Sequence, residues 1–249
     1  MNLGLTGKSV LITGASRGIG AATARHMASE GADLILVARD PEALAKIRQD
    51  LVAEFNVSVE IAAFDLAVSA NVETLAYRHS DVDIVVNNAG SVPGGGLLDV
   101  PEEQWRAGWD SKVFAYINMC RAYYPILCER GGGVIVNVIG SGSRQKRWDY
   151  ICGGMGNAAL DFLTEALGAS SHRDNIRIVA VSPGAVDTGR LRSIRSKWLE
   201  PKNAALLPFG RLATPEEVAA TIVFLASPRS SYASGTVVVV DGGYSASRV

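Results

Sequence analysis

The sequence is poor in the features that mark secreted, membrane or metal-holding chains. It has three cysteines among 249 residues, Cys120, Cys128 and Cys152. The number is odd and no C-x-x-C or similar spacing occurs, so neither a disulfide framework nor a cysteine metal site is expected, and the thiols read as free in a reducing compartment. No apolar run approaches the ~20 residues of a membrane span. The opening MNLGLTGKSV has no basic segment leading into a long apolar one, so the expectation is a cytoplasmic protein without a membrane partner. An excess of charge of one sign is also missing. With 24 Lys and Arg against 25 Asp and Glu, the net charge is −1, and the interspersed signs leave no general footprint for nucleic acid. The one local basic excess runs from Arg190 to Arg211.

What is present is a core. Hydrophobic residues make up 48% of the chain, enough to bury one substantial domain over residues 1–249. Short β-branched runs at Ser9–Thr13, Asp33–Ala38, Ser58–Ala63, Val82–Asn87, Gly133–Val138, Ile176–Ser182 and Thr236–Val240 alternate with segments of helical period. The latter span Gly18–Glu30, Pro41–Glu54, Ala70–His79, Glu102–Arg130, Tyr150–Ser171 and Pro215–Ala226. This alternation predicts a doubly wound parallel sheet of Rossmann type, in three α/β/α layers. Several strands are apolar nearly throughout, as burial on two faces demands. Thr214-Pro215-Glu216-Glu217 and Asp99-Val100-Pro101-Glu102 each place a capping side chain three residues before a Glu, and both read as helix starts. The least regular part, Gly189–Gly210, is read as a substrate loop or lid.

The first strand runs into Thr13-Gly14-Ala15-Ser16-Arg17-Gly18-Ile19-Gly20 and then into a helix. Glycines let a backbone turn tightly and approach a pyrophosphate, whose charge meets the unpaired N–H groups at the helix start. The strand–turn–helix context lifts this above three glycines in an ordinary turn. The second strand ends without the acidic residue that would hold the ribose 2′-hydroxyl of NAD. Arg39 stands there instead, and Arg17 lies in the turn, so two guanidiniums are placed to meet a 2′-phosphate. The expected cofactor is NADP(H), with Asp40 as a competing partner for Arg39.

At this point the chain resembles the short-chain dehydrogenase/reductase family over essentially its whole length. The matching segments are TGASRGIG at Thr13–Gly20, Asn87-Asn88-Ala89-Gly90, Ser182-Pro183-Gly184-Ala185-Val186-Asp187-Thr188, and Ser234-Gly235 with Asp241-Gly242-Gly243. The resemblance implies that Gly14, Ser16, Arg17, Gly18, Ile19 and Gly20 belong to the cofactor-binding turn. Asp65 with Leu66 would hold the adenine, Asn88, Ala89 and Gly90 would border the cofactor, and Pro183, Gly184, Val186 and Thr188 would meet the carboxamide. Plainer roles stand beside these: Asp65 as a cap for the next helix, Asn88 as a tie between strand ends, Pro183-Gly184 as a turn.

Members of the family carry an Asn, a Ser, and a Tyr followed four residues later by a Lys. Tyr150 falls where the Tyr is expected, but Gly154 stands at the fourth residue after it. An unassisted phenol has a pKa near 10, and each unit of lowering requires ~1.4 kcal/mol of preferential phenolate stabilisation. Aligning Trp105 with the family's tryptophan places Lys112 at the usual Asn position. Lys112 is therefore read either as the replacement cation or as a solvated surface lysine. The serine is irregular too: register points to Gly140, a one-residue shift selects Ser141, and Ser143 follows.

Substrate contacts are expected from Ser91–Leu98, Arg144–Asp149 and Gly189–Gly210, with Arg144, Lys146, Arg147, Arg190, Arg192, Arg195, Lys197 and Lys202 making these regions basic. Trp148 and Trp198 read as ring-packing residues or loop anchors. The resemblance implies a homotetramer or homodimer. The leading function is reversible reduction of a small or medium ketone or aldehyde. The alternatives are a cofactor-binding regulator or scaffold without efficient catalysis, and a lyase or dehalogenase using Tyr150 without hydride transfer.

Overall fold

Seven parallel strands form the sheet: β1 (Ser9–Thr13), β2 (Asp33–Ala38), β3 (Val59–Ala63), β4 (Ile84–Asn87), β5 (Gly133–Val138), β6 (Ile176–Pro183) and β7 (Thr236–Val240). They lie in the order β3-β2-β1-β4-β5-β6-β7. The computed structural model describes residues 1–194 and 207–246. The order reverses between β1 and β4, and it is outside the carboxyl ends of such a pair that a crevice opens.

Alternation along the strands divides the core. Val10 and Ile12 of β1 face one layer, packed against α1 (Gly18–Ser29), α2 (Pro41–Glu54) and the helix at Pro215–Ala226. Leu11 faces the other, against α3 (Ser69–Arg78) and the long helix that carries Met119 and Tyr123. Each enclosed Leu or Ile contributes roughly 1.5–3 kcal/mol relative to exposure.

The long helix is one continuous rod with a fault in it. Its first part is α4 (Glu102–Trp109) and its last part α5 (Ala115–Glu129), joined by a wide π-turn over Asp110–Phe114. The following elements are a single turn α6 (Gly142–Gln145), α7 (Ile151–Gly168), α8 (Gly189–Ile194) and α9 (Pro215–Ala226). The start of α9 has the expected reciprocal cap: Thr214 Oγ1 accepts the Glu217 N–H at 3.2 Å, and Glu217 Oε2 accepts the Thr214 N–H at 2.8 Å. Arg211 and the Thr214 N–H together hold the Glu217 carboxyl down at about 2.

The second expected cap does not form. Asp99 Oδ2 accepts the Gly96 N–H at 2.8 Å instead, and α4 starts from Pro101 with no side-chain cap. Of the expected lid, Gly189–Ile194 is helical, whereas Arg195, Lys197, Trp198 and Lys202 lie outside the described residues.

Candidate active site

The turn after β1 is built on backbone contact. A Cβ on Gly20 would fall 2.2 Å from the Gly14 carbonyl oxygen, so only glycine lets α1 start this close to the strand end. Arg17 precedes α1 in extended conformation without a side-chain cap, and the first turn of α1 has no acidic residue. Its N–H donors and positive dipole end are therefore unmet by any side chain of the helix, and Ile19 lies in the wall of the adjoining cavity. Thr188 comes against the turn from the far side, its Cγ2 standing 3.2 Å from where a Cβ on Gly18 would be. These features fit a dinucleotide phosphate.

Asn88 ties the strand ends together: its Nδ2 donates to the carbonyls of Thr13 (3.0 Å) and Gly14 (3.3 Å). Thr13 Oγ1 accepts from the N–H groups of Asn88 and Ala89 at 2.8 and 2.9 Å. Asp65 Oδ1 accepts the Ala67 N–H at 3.0 Å, and Leu66 is buried. Asp40 is committed to the start of α2, where its Oδ1 accepts from the N–H groups of Glu42 and Ala43 at 3.1 Å each. Arg17 and Arg39 are both exposed.

A cavity of about 510 Å³ joins this turn to the residues of the expected chemistry, with Lys112, Ser141, Tyr150 and Asn157 in its wall beside Pro183, Gly184, Val186 and Thr188. Lys112 is no surface lysine. Only 7% of it is exposed, and its Nζ donates to the Ile139 carbonyl at 2.5 Å and to Asn157 Oδ1 at 2.9 Å. It sits in the π-turn, whose extra residue turns it toward β5 and α7. Burial pulls its ammonium down from 10.5 to about 7. Arg190 adds to the fall, and Asp161 opposes it.

Gly154, the fourth residue after Tyr150, sits with its Cβ direction 3.2 Å from the Gly142 carbonyl and outside the cavity wall. The reason is local. That spacing presumes a tyrosine inside the helix, but Tyr150 caps α7 with φ −149° and ψ 36°, and its ring folds back over Gly153. A Cβ at position 153 would stand 2.1 Å from Tyr150 Cζ and 2.5 Å from its hydroxyl oxygen. The phenol thus occupies the place where a side chain from 153 would begin, and one helical turn on from 153 is Asn157. Sequence reasoning gave Asn157 no catalytic role, because the non-helical start of α7, which moves the i+4 relation by three residues, is a feature of the structure alone.

The two serines separate. Ser141 is buried in the cavity wall, its N–H donating to the Pro183 carbonyl at 2.8 Å and its Oγ accepting from Gln145 Nε2 at 2.8 Å. Ser143 turns away and donates to Asp161 Oδ2 at 2.7 Å. Arg190 also lines the cavity, and its guanidinium bonds the carbonyls of Gly90 (2.6 Å) and Val92 (3.1 Å). Among the described residues there is no cluster of His, Cys, Asp and Glu that could hold a metal, and no helix is long and apolar enough to cross a membrane.

A family model described as enoyl-(acyl carrier protein) reductase matches residues 14–245. The 3-oxoacyl-(acyl-carrier-protein) reductase FabG of Chlamydia muridarum is 32% identical over 254 residues, covering 98% of this chain and 99% of its own. The 2-keto-3-deoxy-L-fuconate dehydrogenase of Xanthomonas campestris pv. campestris is 34% identical over 255 residues, covering 98% of this chain and 82% of its own. Among solved structures, L-sorbose reductase from Gluconobacter frateurii, complexed with NADPH and L-sorbose, superposes with a TM-score of 0.90 at 31% identity, covering all of both chains. With the fold, the glycine turn and the cavity joined in this way, the chain belongs to the short-chain dehydrogenase/reductase family and is an oxidoreductase acting on CH–OH groups.

Proposed function

We propose that the protein is an NADP(H)-dependent oxidoreductase that interconverts a small or medium ketone or aldehyde and its alcohol, with Tyr150 as acid/base. When bound, the nicotinamide supplies or takes the hydride. The chain's own residues handle the proton. In reduction the Tyr150 hydroxyl gives its proton to the oxygen of the carbonyl substrate as negative charge develops there, and Ser141 Oγ donates a hydrogen bond to the same oxygen. Lys112 stabilises the phenolate that remains.

The observation that carries this reading is the enclosed Lys112 ammonium, clamped by Ile139 and Asn157 in the wall that also holds Tyr150 and Ser141. It supplies from the π-turn the cation that α7 lacks, with Asn157 as its orienting partner. A regulator without catalysis is the weaker reading, because a buried charge of this kind is costly to the fold and has no evident use in a passive binder.

Preference for NADP(H) over NAD(H) is supported by Arg17 and Arg39 standing exposed near the glycine turn while Asp40 is held at its cap. The adenine would rest at Asp65 and Leu66, and Pro183, Gly184, Val186 and Thr188 would border the nicotinamide beside Asn88, Ala89 and Gly90. We assign the protein to the cytoplasm as a homodimer or homotetramer. A groove between α5 and α7 lined by Ile117, Tyr124, Leu163 and Leu167, with Phe114, Met155 and Phe162 at least half exposed, supports assembly through this face.

The test follows NADPH and NADH oxidation with L-sorbose, an acetoacetyl thioester and a sugar-derived keto acid, beside Tyr150→Phe. Turnover that prefers NADPH and is lost in the variant supports the reading. Tight NADPH binding with no turnover on any carbonyl would sink it.

A further inference from the structure

Among the described residues, the carboxylate that acts on Lys112, Asp161, lies outside the cavity wall. Asp161 follows Asn157 by one turn of α7, so it continues the helix face that Asn157 turns toward Lys112. Its two oxygens are treated differently. Oδ2 accepts the Ser143 hydroxyl at 2.7 Å, whereas Oδ1 is enclosed and has no hydrogen-bond partner among the described residues. An enclosed carboxylate oxygen without a donor is unfavourable unless opposite charge lies near, and the cations acting on Asp161 are Arg144 and Lys112.

We propose that Asp161 is a positioning residue for the reaction: its carboxylate, one turn beyond Asn157, keeps Lys112 in the ammonium form that supports Tyr150, and Ser143 keeps that carboxylate ionised. This rests on the role given to Lys112 in the proposed oxidoreductase. It also gives the two serines separate work, Ser141 at the substrate and Ser143 at the counter-charge.

The groups bearing on Lys112 come from each element around it. Arg190 of α8 opposes its proton, and Asp161 of α7 favours it. The Tyr150 phenol stands at the head of α7 in the same cavity wall. Tyr116, one turn along from Lys112, donates to the Val138 carbonyl at 2.6 Å and is held neutral by burial. From β5 and the residue after it come only uncharged groups, the Ile139 carbonyl among them. Glu217 and Asp241 also stand in the cavity wall, but among the described residues Asp161 is the carboxylate whose charge acts on Lys112. Burial raises the pKa of its carboxyl, and the Ser143 bond and Arg144 pull it back down.

The test uses the full chain and two readouts. The first is the alkaline limb of the pH profile of kcat/KM for carbonyl reduction. The second needs no turnover: it is the pH at which the stability gap between each protein and its Lys112→Met counterpart begins to change, which reports the Lys112 proton in the folded state. Asp161→Asn should move both to lower pH by roughly half a unit or more. Ser143→Ala should move them the same way by less, and the double variant no further than Asp161→Asn alone.

If Asp161→Asn does not fold, Ser143→Ala carries the test. A stability onset that stays in place, or moves to higher pH, overturns the proposal whatever the turnover. An onset that moves as expected in a protein that reduces no carbonyl upholds the Asp161–Lys112 coupling and removes the oxidoreductase reading instead.

Discussion

Replacing Lys112 by methionine measures the cost of enclosing the ammonium. Lys112 ordinarily titrates at 10.5, and in the folded chain at about 7, with desolvation as the main cause. Between those values the unfolded chain keeps a proton that the folded chain has released. The unfolded state then binds the extra proton, so stability rises with pH by about 1.4 kcal/mol per unit. Below about 7 both states are protonated, the slope vanishes and the full cost is present. From about pH 7 to about pH 9.5 the wild type should therefore gain roughly 3 kcal/mol on the variant.

Methionine has similar reach and no titration. It also strips the donor from the Ile139 carbonyl and Asn157 Oδ1, a penalty of about 1–3 kcal/mol for each buried acceptor that changes little with pH. The informative quantity is thus the change in the gap, not its value at one pH. Urea unfolding of both proteins at several pH values across the window reads it directly. A gap constant to within about 0.5 kcal/mol would refute the reasoning, since Lys112 would then keep its proton in the fold throughout.

Other outcomes follow from the same geometry. The Lys112 titration sets the direction of the activity profile: carbonyl reduction should fall as pH rises through about 7, where the ammonium is lost, and a profile flat to about pH 9 would contradict the assignment. Gly153→Ala adds a Cβ where the Tyr150 ring lies, 2.1 Å from Cζ. Although alanine favours a helix interior by about 1 kcal/mol, kcat should drop at least about tenfold while NADPH binding, followed by fluorescence, stays within about twofold. Gly20→Val drives a side chain into the Gly14 carbonyl and should abolish NADPH binding in a titration calorimeter with the fold kept by circular dichroism. Arg39→Glu should raise KM for NADPH by about tenfold or more and leave KM for NADH unchanged or lower; equal effects on both would remove Arg39 from the 2′-phosphate site.

The frame of this protein was largely legible in its sequence because the signals that set it are local. β1, β2, β5 and β7 and the helices α2 and α9 lie where β-branched runs, Pro at a first helical position and the Thr214 cap place them. The glycine turn was legible for the same reason, its chemistry being confined to eight consecutive residues. The site was harder, because it depends on departures from regular geometry. Periodicity over Glu102–Arg130 predicts one unbroken helix, and an extra residue in a single turn leaves the apolar pattern almost untouched, so the π-turn that aims Lys112 has no sequence mark.

Counting four residues from Tyr150 led to Gly154 because the count assumes helical dihedrals at the tyrosine, which its capping conformation lacks. Asp99 read as a cap by spacing, but its carboxylate is taken by the turn at Gly96. Ser141 and Ser143 are equivalent as letters, and only the path of α6 decides which of them meets the cavity.

The wide turn at Asp110–Phe114 has a bearing on how such an enzyme could change its chemistry over time. One surplus residue offsets the two halves of the rod by about 100°. Deleting a single residue there would let the rod close with ordinary pitch and swing position 112 off the wall, without altering any other letter of the chain. In this protein, whether position 112 faces the cavity is thus a matter of segment length as much as of residue type, and a one-codon deletion would do there what a substitution does elsewhere.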